Sequence, residues 1–231
     1  MAHAHSNLPI TDYGKPTYWD ERYSATEGQT FDWHVPWDSL KQHLLPFLST
    51  STGFEILIPG CGTSSLGPNL YDSGYVNVTN IDSSSVVIQQ MADRYADREE
   101  MEFTVMDTRN LEFLPDACFS LIIDKALTDS ILTSPTNLPS LTASLLELCR
   151  VLKPNSTYLM ISYAPPQMRL HYLQAKGLDW TVECRKVGKE PLPQGMEVPG
   201  SLGDYHYMYV CTKRGVGAAG LPQQMQQGPG N

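Results

Sequence analysis

Short apolar runs alternate along the chain with stretches in which apolar residues recur every three or four positions. The runs have the length of buried strands, and we recognise seven of them: 54–58, 76–81, 101–105, 119–123, 158–162, 180–186 and 205–212. Helical spacing predicts helices at 18–23, 37–48, 66–70, 84–95, 139–152 and 168–175. Strands that alternate with helices in this way predict a mostly parallel sheet with helices on both faces.

The last two predicted strands break this alternation, because no helix lies between them. A Pro- and Gly-rich loop that includes the excursion at 191–203 connects them instead. We therefore expect an antiparallel pair at one edge of the sheet. The predicted fold is an α/β, Rossmann-like, seven-stranded, mostly parallel sheet with an antiparallel edge strand. An irregular N-terminal arm at 1–17 precedes a single domain at 18–214, and the Gly-, Gln- and Pro-rich tail at 215–231 is expected to be disordered.

Charge and composition narrow the possible function classes. Lys and Arg total 16 against 25 Asp and Glu, for a net charge of −9, which argues against nucleic-acid or anionic-membrane binding and permits basic substrates. No apolar stretch reaches the roughly 18 residues of a membrane span, and a secretory signal is not expected. The 5 cysteines and 6 histidines form neither CxxC nor HExxH, so we expect no metal site and reduced thiols in a cytoplasmic protein.

The most informative segment is the glycine turn after the first predicted strand, Gly60-Cys61-Gly62. Glycines at such a turn let a ligand approach the backbone, because no side chain stands in the way. Asp82 ends the next strand, about 20 residues further on, which is the spacing of an acid that accepts hydrogen bonds from a cofactor ribose. The segment therefore predicts an adenosine-cofactor site.

The type of cofactor follows from what surrounds this turn. Ser65 stands where a dinucleotide-binding GxGxxG motif needs its third glycine, and no P-loop motif occurs. S-adenosylmethionine, which carries no phosphate, fits instead. Asp107 ends the third strand, where it can accept the adenine amino group, and Asp124 ends the fourth. The carboxyl ends of parallel strands share one edge of the sheet, so the acids predict a site there, with helix capping as the alternative reading.

Eight segments occur in the order of a known group: YWDERY, FDWHVPW, ILIPGCGTS, VTNIDSSSVVIQQM, FTVMDTRNLEF, FSLIIDKALTDSIL, LLELCRVLKP and YHYMYVCTK. They resemble the class I S-adenosylmethionine-dependent methyltransferases. More narrowly, the chain is similar to the methyltransferase-like 13 group, which contains lysine methyltransferases of elongation factor 1A. The resemblance covers roughly residues 18–213. It implies the Rossmann-like fold, S-adenosylmethionine as the cofactor and a protein lysine as the methyl acceptor.

The resemblance also implies which residues contact the cofactor. By matching motif positions they are Trp19, Tyr23 and Trp33 as a cover, Gly60 through the backbone, Asp82 and Ser83 at the ribose, Asp107 and Thr108 at the adenine, and Lys125 at the methionine end. Gly62 in the same turn and Asp124 at the end of the fourth strand, which the strand-end pattern itself predicts, complete the predicted cofactor site. The group usually reads Asp-Lys-Gly-Thr-Leu-Asp where this chain reads DKALTD at 124–129. Because Gly is lost there, the acceptor side is expected to differ from that of the group.

A lysine ammonium must lose a proton before its nitrogen can attack a methyl group, and an apolar site lowers the lysine pKa. We expect Trp19, Tyr23, Trp33 and Tyr163 to form such a site, since aromatic faces attract a cationic amine. Asp129 is the candidate catalytic residue that orients the amine or receives its proton, with a helix cap as its alternative role. Two other functions stay open at this point: methylation of a small-molecule oxygen or nitrogen, and a non-catalytic cofactor- or partner-binding module.

Overall fold

The computed structural model describes residue 13 and residues 15–133, 135–188 and 205–215. Most of the predicted N-terminal arm (1–12 and 14), the excursion at 191–203 and the tail at 216–231 lie outside the described residues. Among the described helices, none combines the length and the apolarity that crossing a bilayer demands.

The described residues form one sheet with helices packed around it. The helices are α1 (Pro16–Ala25), α2 (Trp37–Leu44), α3 (Leu66–Asp72), α4 (Ser85–Arg94), α5 (Leu127–Ile131), α6 (Leu138–Val151) and α7 (Pro166–Leu173), with 3-10 turns at Leu45–Phe47 and Pro135–Asn137. The strands are β1 (Ile56–Pro59), β2 (Val78–Asp82), β3 (Met101–Val105), β4 (Phe119–Lys125), β5 (Leu152–Ser162), β6 (Trp180–Gly188) and β7 (Tyr205–Lys213).

The seven strands follow the order β3-β2-β1-β4-β5-β7-β6. The first five strands in this order, from β3 to β5, pair in parallel. β7 runs antiparallel to both β5 and β6. This confirms the predicted mostly parallel sheet with an antiparallel pair at one edge; within that pair β6 is the outermost strand. The strand order reverses between β1 and β4, and ligands of open α/β sheets bind outside the carboxyl ends of the strands at such a point.

Both faces of the sheet are buried, as its parallel centre requires. Successive residues of β1 point to opposite faces: Ile56 and Ile58 join one apolar cluster and Leu57 joins the other. The first cluster packs the sheet against α2, α3 and α4, and the second packs it against α6. The helical stripes that the sequence predicts, such as Leu141 and Leu145 on α6, supply these contacts.

The region around β4 and β5 differs from the predicted boundaries. β4 extends to Lys125 rather than 123, so Asp124 lies within the strand. The five-residue helix α5 that follows was not predicted, because it is too short to show a helical period.

β5 begins at Leu152, six residues before its predicted start. Leu152 pairs with Phe119 of β4, and the next pair is Thr157 with Leu121, so the register shifts between the two pairs. The β5 residues between Leu152 and Thr157 form a bulge-like irregularity. Asn155 lies in this irregularity with φ +60°, a conformation that Asn adopts more readily than most non-glycine residues.

Lys213, at the end of β7, closes the carboxyl end of α6. Its Nζ donates to the backbone oxygens of Cys149 (2.6 Å), Arg150 (3.2 Å) and Leu152 (2.6 Å). The last carbonyls of a helix lack intrahelical donors, and a cation there also complements the negative end of the helix dipole. One side chain therefore links α6 to the antiparallel part of the sheet.

We expect Lys213→Met to lower the free energy of unfolding by about 1.5–3 kcal/mol, because charge-assisted hydrogen bonds to half-buried carbonyls are lost. Chemical denaturation measures the change. Lys176→Met is the control, since Lys176 is exposed and a substitution there should change stability by less than about 0.5 kcal/mol. Equal stabilities of the two variants would contradict the role of Lys213.

Candidate active site

A cavity of about 560 Å³ opens at the carboxyl edge of the sheet, beneath α1 and the segment that follows it. This volume lies within the range of ligand pockets. Eleven of the twelve predicted site residues line it: Trp19, Tyr23, Trp33, Gly60, Gly62, Asp82, Ser83, Asp107, Thr108, Lys125 and Asp129. The twelfth, Asp124, does not. The structure thus brings together residues that lie up to about 110 positions apart in the sequence.

The floor of the cavity is the glycine turn after β1. Gly60 has φ +62° and Gly62 has φ +50°, a conformation that side chains rarely adopt. The amide of Gly62 donates to Asp82 Oδ2 at 3.0 Å, and the amide of Ser84 donates to Asp82 Oδ1 at 3.0 Å. Burial raises the pKa of Asp82, and the N–H groups of Ser84 and Gly62 partly offset that rise. The carboxylate is therefore held rigidly at the edge of the cavity, with lone pairs left for a ligand.

Helix α1 covers the turn and is anchored to α4. Ser84 Oγ donates to Asp20 Oδ1 at 2.5 Å, and Gln90 Nε2 donates to the backbone oxygen of Tyr23 at 3.2 Å. The Tyr23 hydroxyl lies over the turn so closely that a methyl group on Gly62 would come within 2.7 Å of it. Gly62 is therefore required both by its backbone conformation and by the side chain above it.

Aromatic rings form the roof around one guanidinium group. Trp19 stacks on Tyr23 with ring centroids 5.6 Å apart. The Arg22 guanidinium carbon lies 5.7 Å from the Trp19 ring, 5.4 Å from Phe31 and 5.7 Å from Trp33. Among the described residues no carboxylate pairs with Arg22, and its Nη1 donates a hydrogen bond to the Tyr18 hydroxyl at 3.2 Å. Arg22 therefore offers the cavity a cation that an anionic ligand group can neutralise, which sequence reasoning missed.

An ion pair between half-buried Asp32 and buried Lys125 connects the segment that follows α1 to the sheet. Asp32 pairs with Lys125 and accepts hydrogen bonds from Ser64 Oγ (2.5 Å) and Ser65 Oγ (2.6 Å). Lys125 also donates to the backbone oxygen of Trp33 at 3.3 Å. Burial lowers the pKa of Lys125, and Asp32 only partly offsets this. Lys125 lies at the cavity as predicted, but its ammonium is engaged in holding the segment that carries Trp33.

Asp107 and Thr108 lie at the far wall of the cavity. Arg109 Nε donates to Asp107 Oδ1 at 2.9 Å, and the two side chains form an ion pair. Burial would raise the pKa of Asp107, but its hydrogen bonds with Arg109 outweigh that effect and the pKa lies below its usual value. Thr108 is buried and shares a 2.9 Å hydrogen bond with Ser144. Asp107 is thus an ionised acceptor at the position predicted to contact adenine.

Asp124 lies behind the cavity wall with no solvent exposure. It accepts hydrogen bonds from the Leu127 amide (2.9 Å), the Thr128 hydroxyl (2.6 Å) and the Tyr158 hydroxyl (2.8 Å). Burial raises the pKa of Asp124 to about 6, although these donors oppose the rise. The structure therefore places Asp124 at the start of α5 as a cap, which was the alternative reading of an acid at a strand end.

Asp129 lines the cavity from α5, and its two carboxylate oxygens accept five hydrogen bonds. Its Oδ1 accepts from Ser162 Oγ (2.5 Å) and from Arg169 Nε (3.1 Å) and Nη2 (2.8 Å). Its Oδ2 accepts from His34 Nε2 (2.9 Å) and the Tyr163 amide (3.1 Å). Burial would raise the pKa of Asp129, but His34, Arg169 and Ser162 together hold it below its usual value. Asp129 is thus an ionised centre that positions other groups, and His34 and Arg169 are site residues that sequence reasoning missed.

The arrangement fits S-adenosylmethionine better than a dinucleotide. Asp82 and Asp107 are separate carboxylates on the cavity wall, at the positions predicted to accept from ribose hydroxyls and an adenine amino group, and Arg22 is a cation suited to a carboxylate. The third-glycine position of a diphosphate-binding turn is occupied by Ser65, whose hydroxyl and amide are both directed to Asp32. Within the described part of the chain, no group of three His, Cys, Asp or Glu residues is arranged to hold a metal ion.

Gly62→Ala is expected to destabilise the protein by about 1–3 kcal/mol, because the new methyl group meets the Tyr23 hydroxyl and the backbone keeps a positive φ. Adding Tyr23→Phe removes the contacted oxygen, so the double variant should recover the steric part of the loss. Gly28→Ala is the matched control, since Gly28 has φ +80° with nothing within 4 Å of the added carbon. Thermal and chemical denaturation measure these effects; a Gly62→Ala cost no larger than that of Gly28→Ala would contradict the clash.

Comparison with known proteins agrees with this geometry. The family model described as "Methyltransferase domain" matches residues 56–155. The chain is 36% identical over 156 residues to the mouse eEF1A lysine and N-terminal methyltransferase, covering 66% of this chain and 22% of that protein. It is 32% identical over 180 residues to the mouse EEF1A lysine methyltransferase 4, covering 74% of this chain and 69% of that protein.

A solved structure of a SAM-dependent methyltransferase from Methanosarcina mazei has the same fold, with a TM-score of 0.55 at 17% identity, over 75% of this chain and 97% of that one. The chain spans about a fifth of the length of the first group of relatives and about two thirds of the second. The fold and the sequence similarity lead to the same conclusion as the glycine turn and the strand-end acids. This chain belongs to the class I S-adenosylmethionine-dependent methyltransferases, in the family that contains EEF1A lysine methyltransferase 4.

Proposed function

We propose that the chain is an enzyme that transfers a methyl group from S-adenosylmethionine to a lysine amine of a protein, with elongation factor 1A as the substrate. The main structural support for this cofactor is the Asp82 carboxylate, which the glycine turn holds in place in the same cavity as Arg22. The methyl acceptor is inferred from two groups of relatives, which are named as lysine methyltransferases of eEF1A. The net charge of −9 suits a basic protein partner.

The residues that would hold the cofactor divide by its chemical parts. Asp82 would accept hydrogen bonds from the ribose hydroxyls, with Ser83 beside it, and Asp107 would accept from the adenine amino group next to Thr108. Gly60 and Gly62 would leave the backbone open to the ligand. Arg22 would pair with the carboxylate of the methionine part, because it is a cation in the cavity without an acidic partner among the described residues.

When bound, S-adenosylmethionine supplies an electrophilic methyl group with a good leaving group, so the protein contributes chiefly alignment and exclusion of water. Trp19 and Trp33 would cover the site and exclude water from it. Tyr163, at the Asp129 end of the cavity, would contact the incoming amine through its aromatic face. An environment of this kind favours the neutral form of a lysine, which is the nucleophilic form.

We also propose a cytoplasmic location. All five cysteines are free thiols, and Cys61, Cys149 and Cys211 are buried, which suits a reducing compartment.

Arg22→Met is expected to weaken cofactor binding about 10- to 100-fold, because a charge-assisted contact with the carboxylate is worth about 1.5–3 kcal/mol. Titration calorimetry with S-adenosylhomocysteine measures the dissociation constant. Arg214→Met is the control outside the cavity, since Arg214 is exposed and paired with Asp179, and it should change the affinity less than threefold. An Arg22 variant that binds as tightly as the wild type would remove this residue from the cofactor site.

The proposed activity is tested by incubating the protein with S-adenosylmethionine radiolabelled in its methyl group, together with purified elongation factor 1A and, separately, a cell lysate. We expect a labelled band at elongation factor 1A, with the label in methyl-lysine after hydrolysis. Asp82→Ala, which lacks the ribose acceptor, is the negative control. Label confined to an organic extract would instead assign a small-molecule acceptor, and cofactor binding without any label would assign a non-catalytic module.

A further inference from the structure

The acceptor end of the cavity contains a histidine that the family resemblance did not single out. His34 lies in the segment between α1 and α2 that covers the cavity, and its backbone φ is +67°. Its Nε2 lies 2.9 Å from Asp129 Oδ2, and its side chain is 5% exposed. Residues held at positive φ cluster at functional sites when the surrounding structure enforces them. The ring is thus buried, fixed in orientation and in contact with the cavity.

Asp129 itself is poorly suited to take a proton from a substrate. A carboxylate has about four lone-pair positions, and the two oxygens of Asp129 already accept five hydrogen bonds. Its pKa also lies below the usual value, although burial alone would raise it. Protonating it would break contacts with buried Arg169 and Ser162. A neighbouring group with a free lone pair is therefore better suited to accept the proton.

The hydrogen bond to Asp129 determines which nitrogen of His34 is free. An ionised carboxylate can only accept, so Nε2 carries the hydrogen and Nδ1 keeps its lone pair in the neutral ring. Nδ1 makes no hydrogen bond to any described residue. The Asp129 charge is already balanced by Arg169, whose Nη2 lies 2.8 Å from Oδ1. Charge balance at Asp129 therefore does not depend on a second cation, and the geometry leaves Nδ1 of this cavity-lining ring as the atom that can receive a proton.

Other titratable or charged groups surround this ring from each element that packs around it. They are Asp129 on α5, Arg169 on α7, Tyr163 after β5 with its ring 6.1 Å from that of His34, His206 on β7 with its ring 4.9 Å away, and Lys125 on β4, which bonds the neighbouring backbone oxygen of Trp33. Asp129 is the acid in this set, and it is the group in direct hydrogen-bond contact with the ring.

We propose that His34 is the proton acceptor for the methyl-accepting amine, with Asp129 as the positioning residue that fixes its tautomer. This inference rests on the proposed function. An N–H bond of the substrate ammonium breaks, its electron pair stays on nitrogen, and the proton passes to Nδ1. The amine lone pair then forms the bond to the methyl carbon while the carbon–sulfur bond breaks, and those electrons stay on sulfur. The imidazolium returns its proton to water after the product leaves.

The first test is kinetic. His34→Gly accepts the positive φ without strain and leaves a ring-sized space. We expect its turnover number to fall about 100-fold or more, since a general base contributes about 10²- to 10⁴-fold, and added imidazole should restore part of the activity. The wild-type rate should fall at low pH, because a general base must be unprotonated to act, and the variant should show a different pH profile. His206→Gln is the matched control and should keep both the rate and the pH profile.

Cofactor affinity, measured by calorimetry, separates this role from a structural one, because His34→Gly should bind S-adenosylhomocysteine within about threefold of the wild type. A His34 variant with wild-type turnover and an unchanged pH profile would overturn the proposal. So would a variant whose activity loss is matched by lost cofactor binding and is not restored by imidazole.

The second test needs no substrate. Nuclear magnetic resonance of isotope-labelled imidazole nitrogens, assigned to His34 by its absence in His34→Gly, should show hydrogen on Nε2 and none on Nδ1 at neutral pH. The opposite tautomer would overturn the proposal. A wild-type protein that methylates nothing would contradict the proposed function, and this spectrum would still decide whether His34 is prepared to accept a proton.

Discussion

The active-site edge depends on one hydrogen bond between the Gly62 amide and the Asp82 carboxylate. It stabilises a turn in which Gly60 and Gly62 both have positive φ, a conformation open to glycine because it lacks Cβ. The other carboxylate oxygen accepts from the amide of Ser84, whose hydroxyl caps α4 at Val87. The end of β1, the end of β2 and the start of α4 therefore meet at the buried Asp82 carboxylate. Backbone N–H groups satisfy this carboxylate, and these hydrogen bonds fix the turn that forms the floor of the cavity.

The roof is attached to this floor by polar contacts between distant segments. Asp32 and Lys125 form a buried ion pair across 93 positions of sequence, and Ser84 bonds Asp20 across 64. Buried ion pairs contribute little net stability, because desolvation offsets the attraction between the charges. Their effect here is to select one position for the aromatic segment over the cavity. The same geometry keeps Arg22 within reach of Trp19 and Phe31.

Local patterns in the sequence predict most of the sheet, because strand and helix periods are short-range properties. The glycine turn and Asp82 were likewise predictable, since their spacing reflects a single β-turn-α-β unit. Elements of little more than one helical turn, such as the five-residue α5, leave no such pattern. The partners of Asp129 could not be predicted, because His34 lies 95 positions before it and Arg169 lies 40 positions after it. Such contacts depend on the tertiary fold rather than on sequence spacing.

Asp124 and Asp129 illustrate how neighbours decide the role of a carboxylate. Both lie in one DKALTD segment, both are buried, and both were predicted site residues. Asp124 is surrounded by neutral donors, so desolvation dominates and raises its pKa to about 6. Asp129 faces Arg169 and His34, so charge and hydrogen bonding outweigh desolvation and its pKa falls. The first therefore acts as a helix cap, whereas the second holds an ionised charge at the cavity wall. An anion whose pKa is held low can orient a neighbouring ring but is itself a weak proton acceptor, which is why the proposed proton transfer at this end of the cavity uses a group that Asp129 positions.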